Sequence, residues 1–267
     1  MSHLNLNGKK ALVTGASRGI GAGIAVAFAE AGADVALWAR SKDVLSTVAD
    51  KCAAYGRSAA PVPCDISDAE QVESAFATTM DRLGGLDILV NNAGGLDHIG
   101  PVLDLDEADW DHVWRMNVAS VVRMLRLAGP VLTSQGSGSV INVGSIAGLN
   151  GVPGLAHYAA AKAALHSLTR SVACEWAPAN VRVNAIAPGW IDTAQTHGFS
   201  SNSEFDAAIR SDIPQGRWGA TSDVVGAAIY LASPAAQYTT GSVLVTDGGL
   251  SSQYFQAGTN VPGRLPV

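Results

Sequence analysis

Short apolar runs rich in β-branched residues recur along the whole chain, and a longer segment with helical spacing separates each from the next. The runs cover residues 11–13, 35–38, 86–90, 140–143, 181–186 and 243–245, and Gly, Pro, Asn, Asp or Arg closes each within two residues. Most carry apolar residues at successive positions rather than in alternation, so both faces of such strands must be covered. The intervening segments, 20–31, 44–55, 69–83, 110–132, 158–176 and 222–231, are long enough to be the helices that cover them. Strand and helix in strict alternation predict a parallel sheet with right-handed crossovers, which is an α/β, doubly wound architecture with helices on both faces. A further strand is expected at 59–64, where Pro61 and Pro63 blur its limits.

Composition fits a chain with much to bury. Of 267 residues, 48% are hydrophobic and only 15% charged, and the net charge is −6. That balance argues against disorder and against a nucleic-acid surface. No run of about 18 apolar residues is present, so no membrane partner is expected. The start lacks the charged, apolar and small-residue succession of an export signal, and the expected location is cytoplasmic. Three cysteines, Cys52, Cys64 and Cys174, lie far apart without CxxC spacing, so neither a disulfide framework nor a metal site is expected. No linker or repeat divides the chain. One domain is expected over 1–250, followed by an irregular tail at 251–267.

The first strand runs into Thr14-Gly15-Ala16-Ser17-Arg18-Gly19-Ile20-Gly21, and an alanine-rich helix follows. Glycines allow a tight turn and close backbone approach, while the helix start supplies free N–H groups for a pyrophosphate. The spacing is G-x-x-x-G-x-G rather than G-x-G-x-x-G, so its place between first strand and first helix carries the reading. Gly15, Ser17, Arg18, Gly19, Ile20 and Gly21 are the expected phosphate contacts of a Rossmann-type fold. About 20 residues on, the second strand should end in an acid if the ribose 2′-hydroxyl is to be recognised. The sequence there is Trp38-Ala39-Arg40-Ser41. Arg40 and Arg18 offer forked donors to a 2′-phosphate, which favours NADP(H), with NAD(H) possible as the second cofactor. Asp65, with Ile66 beside it, is placed to accept from an adenine amino group.

Tyr158 and Lys162 are four residues apart in a helical segment and so share one face. Ser145 follows the strand at 140–143, and Pro188-Gly189 follows the strand at 181–186. In a parallel sheet these positions converge with the glycine turn at the carboxyl edge, where ligands bind. A carbonyl that accepts a hydride needs a proton from a positioned acid, and Tyr158 suits that task. A free phenol near pKa ~10 is a poor base at neutral pH, and a neighbouring Lys162 cation, with the charge of the oxidised nicotinamide, should lower it. Ser145 would orient the substrate oxygen.

Together Thr14-Gly15-x-x-x-Gly19-x-Gly21, Asn91-Asn92-Ala93-Gly94, Asn117, Ser145, Tyr158-x-x-x-Lys162 and Pro188-Gly189 resemble the short-chain dehydrogenase/reductases, over about residues 6–249. The resemblance implies a catalytic set of Asn117, Ser145, Tyr158 and Lys162, with the Asn117 backbone holding a water in a proton relay through Lys162. It implies that Lys162 also binds the nicotinamide ribose and that Asn92, Ala93 and Gly94 lie near the adenine side. Pro188, Gly189, Ile191 and Thr193 resemble the segment that holds the carboxamide, which fixes the face from which the hydride leaves, usually the B face.

Within the family the chain is similar to the 3-oxoacyl-carrier-protein reductases. Those present basic residues near the ends of two long helices, whereas the matching turns here, 133–138 and 177–180, hold no Lys or Arg. Steering of an acidic carrier is therefore not supported, and the expected substrate is a small free ketone or secondary alcohol. A carrier-linked substrate, an NAD-dependent alcohol or sugar dehydrogenase and, remotely, a non-catalytic NADP-binding regulator are the alternatives. The segment 194–212 is expected to be a mobile lid carrying His197 and Phe199. The loop 95–100 with Leu149, Leu155, Trp190 and Trp218 is expected to line the pocket. Long apolar helices predict a homo-oligomer, a tetramer or a dimer.

Overall fold

The computed structural model describes residues 3–96 and 98–253. Seven parallel strands form one sheet: β1 Lys10–Thr14, β2 Asp34–Ala39, β3 Ala59–Pro63, β4 Ile88–Asn91, β5 Gly138–Val143, β6 Val181–Pro188 and β7 Val243–Thr246. Their order is β3-β2-β1-β4-β5-β6-β7. The order reverses between β1 and β4, and a crevice opens there beyond the carboxyl ends of the strands. β3 is an edge strand, which resolves the problem of its prolines. Cys64 donates its N–H to Ala39 and the carbonyl of Ser58 accepts from Val35, so even-numbered residues bond to β2. Pro61 and Pro63 therefore direct their missing N–H positions away from the sheet, where no ladder bond is lost.

Successive strand residues feed opposite layers. Ala11, Val13, Val35, Leu37, Ile141 and Ile186 pack with Ile24 and Phe28 of α1 (Gly19–Glu30), Leu45 of α2 (Lys42–Ala53) and residues near the C-terminus. Leu12, Ala36, Trp38, Leu89 and Val140 pack on the other side. There they meet α3 (Ala69–Leu83), α5 (Ser120–Ser134) and α6 (Ala156–Trp176). The expected helix at 110–132 is instead α4 (Glu107–Trp114), a π-helical segment Arg115–Ala119, and then α5. The expected lid contains α7 (His197–Ser200) and α8 (Ser203–Asp212), and α9 (Thr221–Ala232) follows. Asn202 caps α8 by accepting from the backbone of Glu204 and Phe205, each at 3.1 Å. The polar run 200–203, within the segment expected to be mobile, thus contains a helix start. Of the expected tail, 251 and 252 complete a single turn Leu250–Ser252, and 254–267 lie outside the described residues. No described helix is long and apolar enough to cross a membrane.

A buried polar chain ties the sheet to α6. Asn91 donates to Asn142 at 2.9 Å, Asn142 donates to the Thr169 hydroxyl at 2.9 Å, and Thr169 donates to the Leu165 carbonyl at 2.8 Å. Replacing Asn142 by Ala would strand the Asn91 amide, whose Oδ1 already lacks a partner. The expected loss is about 2–3 kcal/mol, read as a lower urea midpoint with an unchanged slope.

Candidate active site

The turn after β1 is braced from β4. The Asn92 amide donates to the carbonyls of Thr14 and Gly15 at 2.9 and 3.2 Å. The Thr14 hydroxyl accepts from the backbone N–H groups of Asn92 and Ala93, both at 3.0 Å. Gly15 has φ +64°, and a Cβ there would stand 2.8 Å from the Asn92 amide nitrogen. A Cβ on Gly21 would strike both that amide and the Gly15 carbonyl. Gly21 is buried and lies off the cleft wall, so its size keeps helix and turn together rather than admitting a ligand. No side chain caps α1, which leaves its first N–H groups facing outward.

A cleft of about 450 Å³ runs along the carboxyl edge. Gly15, Ser17, Arg18, Gly19, Ile20, Arg40, Asp65, Ile66, Asn92, Ala93, Gly94, Ser145, Tyr158, Lys162, Pro188, Gly189, Ile191 and Thr193 all line it. Arg18 and Arg40 are exposed and neither forms an ion pair among the described residues. Asp65 accepts from the Ser67 hydroxyl at 2.7 Å and its N–H at 2.9 Å through one oxygen. Those two bonds, more than any other cause, hold its carboxyl below the usual range.

Asn117 does not line the cleft. It sits in the π-helical segment, fully buried, donating to the carbonyls of Gly95 (2.8 Å) and Val113 (2.9 Å). Gly94 separates it from Lys162, since a Cβ there would lie 2.6 Å from Asn117 Oδ1 and 3.5 Å from Lys162 Nζ. Lys162 donates to the Val143 carbonyl at 2.9 Å and stands 5.5 Å from the Tyr158 ring centroid. Burial pulls the Lys162 ammonium down to about 8. Burial also pushes the Tyr158 phenol up to about 12, opposed by the Ser145 hydroxyl. The expected lowering of Tyr158 by Lys162 is thus corrected: in the protein alone burial is the largest cause and acts upward, and only the Ser145 hydroxyl opposes it. His166, one turn past Lys162, is buried with its Nε2 against Gly144. Burial, then the charge of Lys162, holds it down near 4, so it stays neutral beside the ammonium.

A second cavity, of about 520 Å³, meets the first at Ser145, Tyr158 and Gly189. Of the expected pocket residues, Leu155, Trp190 and Phe199 line it, as do Leu96 and Ile99 from the loop. His197, Leu149 and Trp218 do not. Leu149 is 44% exposed, and Trp218 is buried against Trp190, ring centroids 5.4 Å apart. His157 packs on His98 at 6.0 Å and lines neither cavity. Gln195 and Thr196, which line both cavities, were not singled out from sequence. Thr196 donates to the Ile191 carbonyl at 2.6 Å and accepts from the Thr193 N–H at 3.0 Å, so it folds the segment back over the site. A hydroxyl three residues past Thr193 was the one available signal.

Comparison with known proteins agrees with this geometry. A family model described as enoyl-(acyl carrier protein) reductase matches residues 15–251. The chain is 40% identical over 253 residues to 2-dehydro-3-deoxy-D-gluconate 5-dehydrogenase of Pseudoalteromonas atlantica, covering 93% of this chain and 98% of that one. It is 37% identical to the 3-oxoacyl-[acyl-carrier-protein] reductase of Staphylococcus aureus, covering 91% and 98%. The crystal structure of a gluconate 5-dehydrogenase from Burkholderia cenocepacia, in complex with NADP and tartrate, superposes with a TM-score of 0.89 at 33% identity, covering 94% and 98%. Seven parallel strands, a glycine turn at the switch point and the Ser145, Tyr158 and Lys162 side chains beneath it are thus accounted for together: the chain belongs to the short-chain dehydrogenase/reductase family of oxidoreductases acting on CH–OH and C=O groups.

Proposed function

We propose that the protein is an NADP(H)-dependent oxidoreductase that interconverts a small ketone and a secondary alcohol, with Tyr158 as general acid and base. The observation that carries this reading is the meeting of two cavities at Ser145 and Tyr158, one bordered by the glycine turn and the other mostly apolar. The residues fit a dinucleotide: Gly15 and Gly19 have positive φ and keep the turn open, and α1 presents uncapped N–H groups. Ser17, Arg18 and Ile20 would hold the pyrophosphate region. Arg40 and Arg18 would hold a 2′-phosphate, Asp65 and Ile66 the adenine, and Ile191 and Thr193 the carboxamide. When bound, the nicotinamide supplies or takes up the hydride.

Ser145 donates to the substrate oxygen and orients it toward Tyr158, which gives up its phenolic proton as alkoxide character develops. Burial pushes this phenol up to about 12, so it carries its proton at neutral pH as an ordinary phenol does. Lys162 binds the cofactor ribose and, with the Asn117 backbone, returns a proton from solvent. One domain over 1–250 carries the cofactor cleft and most of the second cavity, whose wall extends to Ser251 and Gln253, and the working form is a cytoplasmic homodimer or homotetramer joined through the long helices. A carrier-protein thioester fits less well, because the turns at 133–138 and 177–180 offer an acidic partner no cation.

Fluorescence titration with NADPH and, separately, NADH tests the cofactor. NADPH should bind more tightly, and Arg40→Asp should weaken NADPH by about tenfold or more while leaving NADH nearly unchanged, as loss of a charge-assisted contact predicts. Equal losses for both would remove the phosphate role from Arg40.

A further inference from the structure

The relatives named above include dehydrogenases of sugar acids, whose substrates carry a carboxylate. The substrate cavity of this chain has a different character. The larger part of its wall is apolar, with Leu96, Ile99, Leu155, Trp190 and Phe199, and the polar residues that complete it, among them Asn150, Gln195 and Gln253, carry no positive charge. Phe199 is held there by edge-on contact with Trp190 at 5.5 Å and by Phe205 at 5.1 Å, so the wall is a packed aromatic surface rather than a loose flap. Among the described lining residues the single charged group is Asp212, at the end of α8. Its position is fixed by Gln253, which donates to the Asp212 carbonyl at 2.5 Å and closes the same side of the cavity. The cation nearest the reacting centre, Lys162, is already committed to the Val143 carbonyl and opens on the cofactor cleft rather than on this cavity.

We infer, resting on the oxidoreductase reading above, that this site takes an uncharged, largely hydrocarbon ketone or secondary alcohol of ring size and discriminates against sugar acids. The physical reason is twofold. A substrate carboxylate brought into the cavity would lose its water and find no cationic partner on the described wall, whose single charged residue, Asp212, is acidic. A hydrocarbon body would instead replace water against Leu96, Ile99, Leu155, Trp190 and Phe199. The volume of about 520 Å³ leaves room for two or three rings, on the scale by which a cavity of about 150 Å³ holds benzene.

The test compares kcat/KM for 2-decalone, a neutral bicyclic ketone, with that for 5-keto-D-gluconate, using the full chain with NADPH and again with NADH. The expected result is a preference of at least ~100-fold for the decalone. Asp212→Lys should raise kcat/KM for the keto acid about tenfold or more, and Asp212→Asn should raise it less. Thermal melting of both variants checks that they fold. Equal or better turnover of 5-keto-D-gluconate by the native chain, abolished by Tyr158→Phe, would overturn the substrate class and leave the oxidoreductase reading intact. No turnover of either ketone with either nicotinamide would overturn that reading, and the substrate class with it.

Discussion

Tyr158→Phe is expected to lower kcat for ketone reduction by roughly 10²–10⁴-fold, the range for loss of a positioned general acid, while NADPH affinity is kept. The argument rests on where the hydroxyl stands. Tyr158 lines both cavities, so removing one oxygen takes the proton donor from the boundary between cofactor and substrate without opening the cofactor cleft. The Ser145 hydroxyl remains, and it also accepts from the Ala147 N–H at 3.1 Å, so the turn that presents it should keep its shape. The check is steady-state turnover beside fluorescence titration of NADPH. Loss of cofactor binding in step with turnover would assign Tyr158 to holding the nucleotide. Unchanged turnover would remove it from the chemistry.

Much of this was legible in the chain because the sheet is buried on both faces. A strand such as β1, with Ala11 and Val13 facing one layer and Leu12 the other, cannot be apolar on one side only. Its sequence therefore shows an unbroken run whose ends coincide with glycine or polar residues. Gly15, Arg40, Asp65, Asn92, Ser145 and Gly189 were legible for a related reason: each follows a strand, and a parallel sheet gathers the ends of its strands at one edge, whereas Tyr158 and Lys162 were legible from their four-residue spacing in a helix. What was hidden depends on distant packing. The π-helical segment at Arg115–Ala119 needs no change in composition, since it arises where Asn117 turns inward to the Gly95 carbonyl. Helices α7 and α8 are short, and part of their support comes from Trp190, which meets Phe199 and Phe205 from elsewhere in the chain. The raised phenol of Tyr158 was missed because charge is visible in a sequence whereas desolvation is not.

Lys162→Met is expected to lower turnover by at least ~100-fold and yet leave stability at pH 7 unchanged or higher. Lys162 is 4% exposed, and its ammonium is pulled from 10.5 down to about 8 by burial. The folded chain therefore gives up that proton more readily than the unfolded chain does, and below pH 8 the charge costs the fold on the order of 3 kcal/mol. Methionine fills a similar volume without charge, but it leaves the Val143 carbonyl without its donor, a loss of about 1–3 kcal/mol. The sign of the pH dependence separates these effects. Between pH 8 and 10.5 the unfolded state binds more protons at this position, so native stability rises relative to the variant as pH increases. Above 10.5 the lysine is neutral in both states and the desolvation cost is gone, leaving the native chain ahead by its bond to Val143. Urea unfolding of both proteins at pH 7, 8, 9 and 10 reads this difference directly, because every other titrating group is common to the two. A constant gap across the series would mean that Lys162 keeps an ordinary pKa in the fold, through solvent reaching its ammonium, and its loss would then act on catalysis through charge alone.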